Sequence, residues 1–184
     1  MDLCEPDAVK KAIDDIVNSA GRIDGVINNA GVNDSVGLDK SPAGFEASLQ
    51  RNLVQCFSLV HYALSELKKT KGTILNIGSK VYTTGQGGTS GYAAAKGGLA
   101  ALTREWALDL APFSIRCNAV IPAEVWTQMY ADWLGSRENS EEAKKAIESR
   151  IPLEQRFTTP EEIADMSVFL LSEKSSHTTG QIIH

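Results

Sequence analysis

The sequence predicts an α/β fold, a single parallel sheet with helices packed on both faces. Three observations carry this. Short apolar stretches alternate with stretches of helical period along the 184 residues. Glycine or proline stands at most of the changeovers, where such residues start or stop an element. And strand, helix, strand at this rhythm requires helical crossovers between parallel strands.

The elements follow in order. After Pro6, the residues Val9, Ala12, Ile13, Ile16 and Val17 keep helical spacing until Gly21 ends the run. "IDGVINNAG" is then a short apolar strand running into a glycine turn. Ser41-Pro42 starts a helix, with Ser as cap and Pro at the first position. Apolar residues from Phe45 to Leu67 mark one long buried face, stopped by Gly72. "GTILNIGS" is the second strand and "SIRCNAVIPAEV" the third, with a helix over about 91–110 between them. Thr159-Pro160-Glu161-Glu162 opens a further helix, its acids suited to the positive N-terminal end. "GQIIH" then begins one more strand, within which the sequence stops.

Length and composition suit one domain, residues 1–184, with 42% hydrophobic and 22% charged residues. A net charge of -5 leaves no basic stripe to neutralise phosphates and argues against nucleic acid as a partner. No apolar run approaches the roughly 18 residues of a membrane span. "MDLCEPD" lacks the basic and apolar regions of a signal peptide. Cys4, Cys56 and Cys117 are odd in number and far apart, and read as reduced thiols of a cytoplasmic protein. His61, His177 and His184 have no ligand spacing, so no metal site is expected. No repeat or low-complexity segment is present.

In parallel sheets ligands sit beyond the carboxyl ends of the strands. The informative residues gather there. The first strand ends in Asn28-Asn29-Ala30-Gly31, the second in Gly78-Ser79, and the third runs into Pro122-Ala123-Glu124-Val125-Trp126-Thr127. In "TSGYAAAKGG", Tyr92 and Lys96 stand one helical turn apart on a surface otherwise made of alanine and glycine. That surface leaves room for close approach. Tyr-x-x-x-Lys alone is weak, but with Ser79 placed 13 residues upstream its accidental occurrence falls to about 0.02. With "NNAG" upstream as well, coincidence is implausible.

This set resembles the short-chain dehydrogenase/reductase family, over essentially the whole chain. The resemblance implies a Rossmann-like doubly wound sheet, a cytoplasmic NAD- or NADP-dependent oxidoreductase, and a homodimer or homotetramer built through the long helices. It implies that Ser79, Tyr92 and Lys96 carry catalysis, with Asn52 of "LQRNLVQCF" as the fourth member. Asp2, Leu3, Asn29, Ala30 and Gly31 match cofactor-contacting positions, as do Pro122, Val125 and Thr127, with Tyr92 and Lys96 contributing. Ala123 stands where the family usually has Gly.

The chemistry needs these residue types. Removing a hydride from an alcohol requires a base for the hydroxyl proton, and a free tyrosine, with pKa near 10, is a poor one. A lysine ammonium about 4 Å away, at an effective dielectric of about 20, supplies roughly the 4 kcal/mol that lowers it by about 3 units. Tyr92 is therefore expected as general base and Lys96 as the charge that lowers its pKa. Ser79 holds the substrate oxygen, and Asn52 holds a water linking Lys96 to solvent.

The family's phosphate-binding fingerprint, Thr-Gly-x-x-x-Gly-x-Gly after a first strand, does not occur in these residues. "TGQGGTSG" is glycine-rich but lies between Ser79 and Tyr92, on the substrate side. "MDL" aligns with the end of the family's third strand. The expectation is a fold lacking its first three strands and two helices, truncated at its amino end and incomplete in its last strand. Its own first strand is then an unpaired edge. Such a fragment, without the main pyrophosphate site, is expected to be inactive alone.

The stretches "NNAGVNDSVGLD", "GQGGTSGY", "LTREWAL", "NAVIPAEVWT" and "RFTTPEEIADMSVFLLS" resemble the sugar-oxidising, L-fucose dehydrogenase branch of the family. That implies oxidation of an L-fucose-like aldose to its lactone. Asn33, Asp34 and Gln86 are then candidates for sugar hydroxyls, and Trp126, Tyr130 and Trp133 for apolar surface. Asn33 and Asp34 are equally good turn formers, and the aromatics equally suit packing of a covering segment. A 3-oxoacyl-carrier-protein reductase shares every catalytic motif. A catalytically inactive dimerisation module is the rival from another class.

Overall fold

A computed structural model describes residues 1–184. The helices are α1 (Pro6–Ala20), α2 (Pro42–Leu49), α3 (Gln55–Thr70), α4 (Val81–Thr84), α5 (Ser90–Leu110), α6 (Gln128–Gly135), α7 (Ser140–Glu148) and α8 (Pro160–Leu171). The strands are β1 (Gly25–Asn28), β2 (Thr73–Ile77), β3 (Arg116–Val120) and β4 (Ile182–Ile183). All pair in parallel, in the spatial order β1-β2-β3-β4. The fold class is the expected one, and β1 has a neighbour on one side only.

Alternation along the strands divides the core between two faces. Val26, Ile74 and Cys117 pack with Ile13 of α1, Leu67 of α3 and Trp106 of α5. Leu75 and Val120 point the other way, against Leu170 of α8. Each large side chain so buried contributes roughly 1.5–3 kcal/mol, and this holds the helices to the sheet. On the α8 side of the edge strand β1, Ile27 is 48% exposed.

Element ends follow local chemistry. α1 stops at Gly21, whose φ of 77° lets its N–H reach the Val17 carbonyl. α8 is fixed at both ends. Thr159 accepts from the Glu162 N–H while the Glu162 carboxylate accepts from the Thr159 N–H, at 3.3 and 2.8 Å. At the other end Arg116 of β3 donates to the Leu170, Leu171 and Ser172 carbonyls at 2.7–3.3 Å. A guanidinium there meets the negative end of the helix dipole and ties it to the sheet.

Three features differ from the sequence expectation. The long helix after Pro42 is divided by a π-helical turn, Gln50–Val54. The third strand ends at Val120, and Val125 makes only an isolated bridge with Thr158. The helices α4, α6 and α7 were not foreseen. Leu134 is the one buried residue of α6 and α7 has none, so no sustained apolar stripe marks them. No helix is long and apolar enough to cross a membrane.

Arg116→Met is expected to destabilise the fold by about 2 kcal/mol, because it leaves the last α8 carbonyls without a charged donor. Thr159→Ala is expected to cost about 1 kcal/mol. The Arg156 guanidinium and the Thr159 N–H hold the Glu162 carboxyl down to about 2. A depressed carboxyl contributes stability above its ordinary pKa and loses it as pH falls through its folded value. The stability gap between the parent and Glu162→Gln should therefore close between about pH 4.5 and pH 2, as read by urea unfolding across that range.

Candidate active site at the strand ends

The register sets Asn28 opposite Asn76 and Ile77 opposite Val120, so the carboxyl ends of β1, β2 and β3 lie level. The loops that follow share one edge of the sheet, where a ligand is expected. A buried polar chain supports that edge. Asn28 donates to Asn76 at 2.8 Å, and Asn76 donates to Thr103 of α5 at 2.9 Å.

Asn52 sits in the π-helical turn and is fully buried. Its Nδ2 donates to the Ser48 carbonyl at 3.0 Å, the acceptor a regular helix would reserve for the N–H of residue 52. A side chain inserted into the ladder in this way is a recognised cause of local distortion. Its Oδ1 accepts from the Val32 N–H at 2.7 Å, holding the loop after β1. Gln55 reinforces that hold by donating to the Ala30 carbonyl at 2.7 Å.

Lys96, on α5, is 3% exposed and donates to the Ile77 carbonyl at 2.7 Å. Gly31 lies between it and Asn52. A Cβ at that glycine would stand 2.9 Å from Asn52 Oδ1 and 3.7 Å from Lys96 Nζ, so a larger residue has no room. Gly91 plays the matching role where α2 meets α5, since a Cβ there would be 2.5 Å from Ser48 Oγ. The glycine beside Tyr92 thus admits the Ser48 side chain of α2.

Tyr92 is partly buried, its ring centroid 5.5 Å from Lys96 Nζ. Burial raises the Tyr92 hydroxyl above its ordinary value, with a hydrogen bond from Ser79 opposing. This corrects the expectation that Lys96 lowers it. Burial also lowers Lys96, with the electrostatic influence of Cys56 opposing. The ammonium faces the Ile77 carbonyl, and desolvation outweighs pairing at both groups.

Around these four residues lie the other sequence-predicted positions. Asp2, Leu3, Ala30, Gly31 and Val32 line a groove of 470 Å³ beyond β1, which Asn29 precedes in the turn. In the segment after β3, the Pro122 carbonyl accepts from the Lys80 N–H at 3.0 Å. Val125 bridges Thr158, and the Thr127 hydroxyl caps α6 by accepting from the Tyr130 N–H at 3.3 Å.

The candidate substrate residues are placed less favourably. Asn33 accepts from the Ser35 N–H at 3.3 Å, forming a turn. Asp34 accepts from Ser48 at 2.8 Å and from Arg51 at 2.5 Å, so both carboxylate oxygens are engaged. Burial raises its pKa, but those hydrogen bonds outweigh it and hold it below the ordinary value. Gln86 is exposed among Gly85, Gly87 and Gly88, all at positive φ. Trp126 and Tyr130 pack edge-on to Phe157, at 5.1 and 5.0 Å between centroids. Unforeseen from the sequence is an ion pair between Lys80, next to Ser79, and Glu124. Residues distant in sequence and unremarkable in type give no local signal for it.

Lys96→Met should leave thermal stability unchanged or raise it, because it removes a cation that burial disfavours. The sign follows from the lowered pKa. The folded chain holds the Lys96 proton less tightly than the unfolded one, so the cost is present at neutral pH and fades as pH rises towards 10.5. Melting curves of parent and variant should converge over that interval.

A sequence-family model described as "Enoyl-(Acyl carrier protein) reductase" matches residues 1–184. Among curated relatives, the 3-oxoacyl-[acyl-carrier-protein] reductase FabG of Thermotoga maritima is 35% identical, over 100% of this chain and 72% of its own length. The L-fucose dehydrogenase of Rattus norvegicus is 32% identical over 94% of this chain and 64% of its own. Among solved structures, Cj0485 dehydrogenase superposes with a TM-score of 0.97 at 42% identity, over 100% of this chain and 71% of that one. The aldohexose dehydrogenase of Thermoplasma acidophilum gives 0.92 at 29% identity, over 99% and 73%.

Proposed function

Because the chain belongs to the short-chain dehydrogenase/reductase family, an oxidoreductase family, we propose that it oxidises a small hydroxylated sugar, an L-fucose-like aldose, at its anomeric hydroxyl. The observation that carries the reaction type is the convergence of Ser79, Tyr92, Lys96 and Asn52 on the level ends of β1 and β2.

The residues present fit the two ends of a nicotinamide dinucleotide, and the glycine-rich turn that would hold its pyrophosphate is not among them. The groove beginning at Asp2 and Leu3 runs past Ala30 and Gly31, and no Cβ obstructs it at Gly31. Asn29, Ala30 and Gly31 would support it, and Pro122, Val125 and Thr127 would border the nicotinamide. Bound NAD or NADP supplies the hydride acceptor. Ser79 holds the substrate oxygen by hydrogen bond, and Tyr92 takes its proton. Tyr92 is raised in the free chain, so it needs a cation nearer than Lys96 stands now. A turn of the Lys96 ammonium from the Ile77 carbonyl towards the Tyr92 hydroxyl supplies it. Asn52 supports this arrangement through its side chain, which holds the loop after β1 at Val32.

The sugar reading is supported by the likeness to L-fucose dehydrogenases and to an aldohexose dehydrogenase. A cleft of 370 Å³ lined by Lys80, the residue after Ser79, together with Glu124 and Arg150, supports it too. That volume is at the small end of ligand sites. The acyl-reductase reading draws on FabG relatives of equal closeness. The outer faces of α3 and α5 expose Phe57 and Leu108 at 51% and 76%, and we assign them to a second copy of the chain. A dimeric mass by light scattering, reduced to monomer by Leu108→Glu, checks this.

The deciding assay offers a panel of aldoses and an acetoacetyl thioester to the natural full-length protein and follows nicotinamide absorbance. L-fucose and D-arabinose should turn over far faster than D-glucose or the thioester. A faster thioester would move the protein to the acyl-reductase reading. In the same assay Tyr92→Phe should lower kcat by roughly 10²–10⁴ while KM for the cofactor is largely kept. Retention of more than a tenth of the activity would assign the base to another residue.

A further inference from the structure

We propose that Lys80 and Glu124 form the hydroxyl-reading element of the substrate site, and that their charge pair selects a polyhydroxylated ring. The proposal rests on the sugar reading above and names the residues that would enforce it.

Their placement follows from the sheet. The Gly78 N–H donates to the Val120 carbonyl at 2.8 Å and the Lys80 N–H to the Pro122 carbonyl at 3.0 Å. These bonds run the residues after β2 alongside those after β3. Lys80 is thereby the immediate neighbour of Ser79, and Glu124 lies inside the 122–127 segment. Their side chains meet as an ion pair that is partly exposed, 39% and 20%. Both line the 370 Å³ cleft, together with Arg150, Thr158 and an aliphatic wall that includes Ile147 and Ile151.

Nothing in the packing requires the pair. The backbone bonds already join the two segments, and the buried residues nearest in sequence, Val81 and Ile121, are apolar. Its chemistry, by contrast, matches a ring carrying adjacent hydroxyls. Each hydroxyl offers one donor and two acceptor sites. A carboxylate can accept from one hydroxyl while the neighbouring ammonium donates to the next. Such charge-assisted bonds are roughly twice as strong as neutral ones. The aliphatic wall meets the ring's C–H face. An acetoacetyl thioester has carbonyl acceptors for Lys80 but no hydroxyl donor for Glu124, so seating it there would desolvate the carboxylate without return. Arg150 brings a second cation to the same cleft, so the net charge also favours electron-rich oxygen groups over a hydrocarbon chain.

The test uses the natural full-length protein, Lys80→Met and Glu124→Gln. Substrates are L-fucose and analogues lacking or inverting a single hydroxyl, with the acetoacetyl thioester alongside. The parent should prefer L-fucose to at least one analogue by roughly ten- to a hundredfold in kcat/KM. In both variants that preference should collapse, chiefly through KM for the sugar, with KM for the cofactor unchanged. A merely structural pair would lower turnover of all sugars alike. Should the variants keep the parent's discrimination while an aldose remains the best substrate, the assignment of Lys80 and Glu124 fails and the sugar reading stands. Fastest turnover of the thioester by the parent would remove both.

Discussion

The buried ammonium of Lys96 is the constraint on which the rest of the site depends. A charge 3% exposed cannot be left without acceptors, because desolvation costs several kcal/mol per ion. The chain answers with a backbone carbonyl at the end of β2, Ile77, at 2.7 Å. That contact ties α5 to the end of β2, and α5 carries small residues towards its neighbours. Gly91 admits α2, and Gly31 admits Asn52 on the opposite side. The poise of Lys96 is thus a property of several backbones rather than of one side chain.

The same economy of polar groups explains the π-helical turn. A straight helix from Pro42 to Thr70 would satisfy its own ladder and offer the loop after β1 nothing. Widening over Gln50–Val54 frees acceptors, and Asn52 uses its amide on Ser48 and its oxygen on Val32. Gln55, one residue past the turn, reaches the Ala30 carbonyl. The "NNAG" turn is therefore held from the helix side by two amides, and from the sheet side by the Asn28–Asn76–Thr103 chain. These bonds stiffen the edge of the sheet, although the buried Asn28 Oδ1 at the head of the chain has no partner.

Much of this was legible in the sequence. The four strands and the helices around Val9, Phe45, Tyr92 and Ile163 follow from periodicity and from caps such as Ser41 and Thr159, which the structure uses as such. The placing of Ser79 at a strand end, with Tyr92 and Lys96 early in the next helix, follows once parallel strands are assumed, whereas Asn52 was named only through the family resemblance. The π-helical turn was not legible, because one extra residue in a turn leaves the apolar stripe nearly unchanged. Nor was the direction of the Tyr92 shift. Spacing told which charge lies near the phenol, whereas the sign depends on how deeply each group is buried and on where the ammonium turns. Asp34 is a related case. As a residue type it suits a sugar hydroxyl, yet Arg51 and Ser48 occupy both its oxygens.

Depth separates what the sequence tells about the reaction from what it tells about the substrate. Asn52 and Lys96 are buried, so their positions are set by core packing and by glycines that admit no substitute, and a short motif records them. Lys80, Glu124 and Arg150 stand on partly or fully exposed connecting segments, Arg150 just after α7, where packing tolerates many side chains. Their meeting depends on two backbone bonds between β2 and β3 that no local pattern announces. The base, cation and oxygen holder proposed above can therefore be shared by enzymes acting on rings and on acyl chains, while the cleft lined by Lys80 and Glu124 varies. The choice of substrate is made where the fold constrains the sequence least, and so it has to be read from side chains in three dimensions.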